Sequence, residues 1–143
     1  MKDHHNIIKT MVGVAPVAVG TTGTGQAGKI IDTSGYGGVE FVVAYGTLTA
    51  TNAVYAVTVK EGDVTGTMTS VADADLLGTE LLAGIAASTP RTSGVSKNVT
   101  KRIGYKGNKR YVSCGVKSTI TAATPVAVIA VLHSPAIAPT SNP

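Results

Sequence analysis

Forty-eight of the 143 residues are Thr, Val or Ile, and that third of the chain decides what it can fold into. A branch at Cβ restricts χ1 and crowds a helix, whereas a pleated strand accommodates it. The 17 Gly and 6 Pro fall between short apolar runs, where turns between many strands would need them. The length suits one domain. The expectation is an all-β fold: an antiparallel, jelly-roll-like β-sandwich of about eight strands with extended termini.

Aromatic residues make up 4% of the chain and Trp is absent, so the core must rest on Val, Ile, Leu and Ala. At ~25 cal/mol per Å² of buried apolar surface, such a core gains little per residue. An obligate partner that adds burial fits this composition.

Along the chain, residues 1–10 are polar and unpatterned and read as an N-terminal arm. Residues 11–133 carry the sandwich, and residues 134–143, with three prolines, read as an extended tail. Residues 11–19 read as a first strand or an extended continuation of the arm, and strands are expected at 29–33, 39–47, 53–60, 67–72, 97–105, 109–120 and 124–133. Two tight hairpins are expected, one across 48–52 and one around Lys106-Gly107-Asn108. Glu61-Gly62-Asp63 reads as a turn, 73–82 as a helical turn or irregular connection, and 83–96 as a loop.

Motifs for chemistry are weighed and set aside. Gly23-x-Gly25-x-x-Gly28 matches a dinucleotide fingerprint as a string, and Gly28-Lys29 extends it toward a P-loop. Both need a helix opening at the last Gly. The β-branched run Lys29–Thr33 ends at Ser34-Gly35 instead, so 20–28 reads as a flexible Gly/Thr loop. His4 and His5 are far from His133, and Asp73, Asp75 and Glu80 lack a calcium-loop spacing. No Gly-x-Ser-x-Gly elbow occurs. Cys114 is the single cysteine and lies in an apolar strand, so a buried, inert thiol in a reducing compartment is expected. The longest apolar run, 125–132, is too short to cross a bilayer. The residues therefore point to no enzyme, no cofactor and no membrane.

Charge is segregated. Through residue 80 there are eight carboxylates against four basic residues, a net −4; beyond it there are eight basic residues and no carboxylate, a net +8. Half of the basic residues fall within 97–110. Lys97, Lys101, Arg102, Tyr105, Lys106, Lys109, Arg110 and Tyr111 form the candidate site. They read either as a hairpin with inward tyrosines and a solvated rim or as a protein interface, because Tyr and Arg are favoured anchors there. Binding of single-stranded nucleic acid is the weakest of the three uses.

Several blocks also carry a family resemblance. They are Gly28-Lys29-Ile30-Ile31-Asp32-Thr33, Gly35-Tyr36, Val39-Glu40-Phe41-Val42-Val43 and Val59-Lys60-Glu61-Gly62-Asp63, followed by Ala72-Asp73-Ala74-Asp75-Leu76-Leu77-Gly78-Thr79. Ile103-Gly104-Tyr105-Lys106-Gly107-Asn108-Lys109-Arg110-Tyr111-Val112 and Ala130-Val131-Leu132-His133-Ser134-Pro135 continue the series. Over roughly residues 28–135 the chain resembles the capsid cement or decoration proteins of tailed bacteriophages. That resemblance implies a virion protein, made in the host cytoplasm, that dimerises or trimerises and staples subunits of the major capsid protein. Nucleic acid, membranes and small-molecule substrates are not among the partners it implies. The alternatives are a carbohydrate-binding sandwich, for which five Tyr and no Trp give poor platforms, and a head-completion or tail protein.

Overall fold

The computed structural model describes residues 3–19, 25–47, 54–86, 98–118 and 124–140. Ten strands account for most of them: β1 (Ile8–Val19), β2 (Gly25–Gln26), β3 (Ile31–Asp32), β4 (Tyr36–Tyr45), β5 (Tyr55–Val64), β6 (Thr67–Ser70), β7 (Leu76–Leu77), β8 (Val99–Tyr105), β9 (Tyr111–Ser118) and β10 (Thr124–Pro135). Among the described residues, helix is confined to α1 (Glu80–Ala83) and two 3-10 turns at His5–Ile7 and Asp73–Asp75.

The strands form two antiparallel sheets. Sheet A has the order β1-β10-β4-β8-β7; sheet B has the order β2-β9-β5-β6, with β3 also paired to β9. If β2 and β3 are taken as one interrupted strand and the two-residue β7 is left aside, eight strands wrap between the sheets in jelly-roll order. The composition thus leads to the expected all-β sandwich.

Alternation builds the core. Val39, Phe41, Val43 and Tyr45 of β4 face inward beside Val126, Val128, Ala130 and Leu132 of β10, all nearly inaccessible. Tyr55, Val57 and Val59 of β5 and Val112, Cys114 and Val116 of β9 meet them from sheet B. Tyr45 and Tyr55 touch across the gap, ring centroids 6.0 Å apart. The Tyr45 hydroxyl donates to the Ala83 carbonyl at 2.9 Å, and that of Tyr55 lies 2.7 Å from Thr124 Oγ1.

Neither expected tight hairpin forms. β4 lies in sheet A and β5 in sheet B; likewise β8 is in A and β9 in B. Crossing between sheets lets both members of each pair turn their apolar sides into one core. The turn residues 48–52 lie outside the described residues, as does most of the expected 83–96 loop. Glu61-Gly62-Asp63 is not a turn, since β5 runs through it to Val64 and pairs with β6. The 73–82 stretch holds a 3-10 turn, β7 and the start of α1, where Thr79 caps the helix by accepting from the Leu82 amide.

The ends also differ from expectation. β1 begins at Ile8, and Ile8, Lys9 and Thr10 pair with His133, Leu132 and Val131. Beyond β10, the Thr140 amide donates to Asn6 O at 2.9 Å and its hydroxyl to Ile8 O at 2.8 Å. Backbone hydrogen bonds need no apolar alternation, so a polar segment can still be tied down. Two of the glycines that imitate a nucleotide fingerprint have a packing role: β2 pairs Gly25 with Lys117, and a Cβ on Gly28 would overlap the Cys114 backbone. We therefore expect Gly28→Ala to destabilise the protein by about 1–3 kcal/mol through overpacking. Chemical denaturation measures this, and an unchanged midpoint would show that the segment does not need to lie against β9.

Candidate functional site

The basic segment is a crossover rather than a hairpin, and its residues are spread over three surfaces. The connection from β8 to β9 wraps the ring of Tyr105, which is 2% exposed. The Tyr105 hydroxyl donates to Glu61 Oε2 at 2.5 Å and accepts the Lys109 amide at 3.0 Å. Gly107 lies so close over the ring that a Cβ would overlap it. Burial, and then the bonded Glu61 carboxylate, push the Tyr105 phenol well above its ordinary range.

The remaining cations mostly meet carboxylates from the acidic half of the chain. Lys109 Nζ is 2.5 Å from Asp63 Oδ2. Arg110 Nη2 is 2.8 Å from Asp32 Oδ2, its Nε donates to both Asp32 oxygens at 3.2 Å, and its guanidinium lies over the Tyr111 ring. The Arg110 hydrogen bonds, with that from the Ser34 amide, hold Asp32 below the usual carboxylate range. Arg102 Nε is 3.6 Å from Glu40 Oε1. Lys101 and Lys106 make no ion pair among the described residues; Lys101 lies within β8 and Lys106 directly follows it. Lys97 lies outside the described residues. Three of the five described cations of this segment are thus paired with carboxylates of the same chain. These pairs are exposed and contribute little to stability.

The feature absent from that expectation is the outer face of sheet A. Cross-strand partners share a side, so one row across the sheet reads Val12–Ile129–Val42–Arg102 and the next Thr10–Val131–Glu40–Gly104. Ala127 and Ala44 continue the face beyond the first row, and Leu77 extends the second. Val12 is 42% exposed and Leu77 51%, while Val42, Ile129 and Val131 are half-buried by one another. The outer face of sheet B presents Thr58, Lys60, Ser113 and Lys117 instead. A one-sided antiparallel sheet normally alternates apolar-in with polar-out, and sheet B does so. On sheet A the outer side carries an apolar patch of Val12, Val42, Ile129 and Val131, bordered by Thr10, Glu40, Thr100 and Arg102. The signal was in the sequence: the run 125–132 is apolar at odd and even positions alike, which a strand with one wet face does not need.

Hollows on the surface are shallow. One is lined by Glu40, Leu77, Gly78 and Arg102, and a second by Pro16, Ala44, Thr100, Pro125 and Ala127 among others; both open on the outer face of sheet A. Among the described residues no three His, Cys, Asp or Glu side chains gather as a metal site would require.

No known family matches the sequence, and comparison with curated proteins finds no relative. Among solved structures, a chain of the disulfide-linked pili that form Bacillus endospore appendages aligns over 94% of this chain and 96% of its own length. The identity is 12% and the TM-score 0.40, too distant to bear on function.

Two outcomes follow from the buried groups. Tyr105→Phe removes a hydroxyl bonded on both sides, and we expect a loss of about 1–3 kcal/mol with faster amide exchange at Lys109; unaltered exchange would detach the loop from the ring. Cys114 is buried, and burial followed by the Glu80 charge raises its thiol from 9.0 to about 12. The folded thiol therefore keeps its proton where the unfolded one loses it, and Tyr45 and Tyr105 shift the same way. Stability should be intact below about pH 9 and fall as pH rises toward 12. Denaturation midpoints across that range, together with the absence of native thiol labelling, check this; a midpoint that holds constant in alkali contradicts it.

Proposed function

We propose that this protein is a non-enzymatic cement subunit that binds the outside of a bacteriophage head and staples neighbouring copies of the major capsid protein. The observation that carries the reading is the outer face of sheet A, where Val12, Val42, Ile129 and Val131 form an apolar surface on a fold whose other sheet is polar outside. Contiguous apolar surface of this kind marks a protein contact. The resemblance of residues 28–135 to phage decoration proteins supplies the kind of assembly. The bonds of Thr140 to Asn6 and Ile8 and the tyrosine ties between the sheets give a rigid body that passes load from one contact to another. Many such contacts on one shell act together, so individually weak binding suffices.

The test adds the purified protein to expanded, undecorated heads of the phage that encodes it. Saturable co-sedimentation at a fixed ratio to capsid subunits is expected, with a higher temperature of head rupture. Absence of binding to expanded heads, with the protein folded, overturns the proposal.

A further inference from the structure

We infer that a hollow on the outer face of sheet B binds a dianionic oxyanion: a phosphate group, either free or carried by a small ester. The site lies on the opposite side of the sandwich from the apolar patch. It is independent of the cement reading and stays open when that patch is covered.

β5 and β9 make the floor of the hollow. Their register sets Thr58 opposite Gly115 and Lys60 opposite Ser113, with Lys117 two positions beyond Gly115 on the same side. Gly115 carries no side chain, so the floor is open at its centre. The segment 25–28 closes one side, and it is fixed in place. Gly25 and Gln26 pair with Lys117 and Val116, and the Lys29 amide donates to Gly13 O at 2.7 Å. A Cβ on Gly115 would lie 3.0 Å from Gln26 O and 3.4 Å from the Gly28 nitrogen, so this wall leans over the floor. The hollow measures about 250 Å³. Liquid water takes ~30 Å³ per molecule, so a tetrahedral oxyanion fits with room for waters or a short organic tail.

The lining names the ligand. Ser113 is 9% exposed, yet its hydroxyl has no hydrogen-bond partner among the described residues. Buried polar groups are almost always bonded, so an unmet one facing a hollow is a donor waiting for an acceptor. Lys60 and Lys117 stand exposed at opposite ends of the hollow and pair with no carboxylate among the described residues. Arg102, Lys109 and Arg110 each meet an acid of the same chain, whereas no Asp or Glu lines this hollow. The two lysines are offset by four residues along the strands, about 13 Å at ~3.3 Å rise. Their long stems can therefore turn both ammonium groups onto one ion above Gly115. Two positive charges and the hydroxyls of Ser113 and Thr58 match a ligand with two negative charges and several acceptor oxygens. A monoanion leaves one ammonium unmatched, an apolar ligand leaves Ser113 unmet, and a metal cation is repelled.

Isothermal titration calorimetry of the full chain with inorganic phosphate tests this, at low salt and a mildly alkaline pH where phosphate carries two charges. Saturable one-to-one binding is expected, with acetate bound far more weakly. Lys60→Gln and Lys117→Gln each raise the dissociation constant about tenfold, the weight of one charged hydrogen bond. Ser113→Ala raises it about threefold to tenfold. The same variant without phosphate keeps its denaturation midpoint, because the hydroxyl has no internal partner to lose. Lys106→Gln is the control: that lysine is exposed and unpaired among the described residues, but it does not line the hollow. Its replacement leaves binding unchanged. Glycerol 3-phosphate separates the two sources of the ligand. Tighter binding than phosphate assigns the hollow to an ester whose tail fills it, and equal or weaker binding assigns it to the free ion. The inference is overturned if phosphate fails to saturate or if Ser113→Ala binds it as the wild type does. An equal loss from Lys106→Gln overturns it as well, since the attraction then belongs to the basic chain at large.

Discussion

The separation of the two sheets is set by tyrosines that span it and end on polar atoms. Tyr45 reaches from sheet A to the Ala83 carbonyl, and Tyr55 reaches from sheet B to Thr124. At the other end of β4, Tyr105 reaches Glu61. The chain has a single Phe, so these rings provide much of the bulk that Val and Ala cannot. A buried hydroxyl left without its partner costs about 1–3 kcal/mol, so the sheets cannot slide without losing these bonds. The path of the β8–β9 connection follows from Tyr105, while α1 is held by Tyr45 and by Glu80, whose carboxylate accepts the Val59 amide of β5.

The fold class was legible because β-branched residues and alternation are local properties. The sheet each strand would join was not. Lys106-Gly107-Asn108 has the composition of a tight hairpin turn, and nothing nearby in the sequence says that Tyr105 is to be wrapped and buried. Segregated charge misled for the same reason. In a nested topology β9 and β10 are inserted between strands made much earlier. Arg110 therefore meets Asp32 across 78 positions and Lys109 meets Asp63 across 46. The acidic and basic halves are separate along the chain and interleaved in space.

The candidate site divides similarly. Tyr105, Lys109, Arg110 and Tyr111 do lie together around the crossover, but as an internally satisfied group. Arg102 belongs to a different surface, and its value comes from neighbours that charge counting ignores: Glu40, Gly104 and the Val12–Ile129–Val42 row. A strand that is apolar at both parities announces two dry faces. Only the topology tells which strands lie beside it and whether the second face is covered by the chain itself.

The pairing of β1 with β10 has a consequence for synthesis. Thr140 reaches Ile8 across 132 positions, and β10 is the strand on which both β1 and β4 register. As the chain leaves the ribosome, β1 has no neighbour to pair with until β10 is made, and β4 has only β8 before then. Long-range pairing of this kind folds slowly, and unpaired apolar strands are prone to aggregate while they wait. Sheet A, the one with the apolar outer patch, is thus completed only when β10 is made, after sheet B has all its strands.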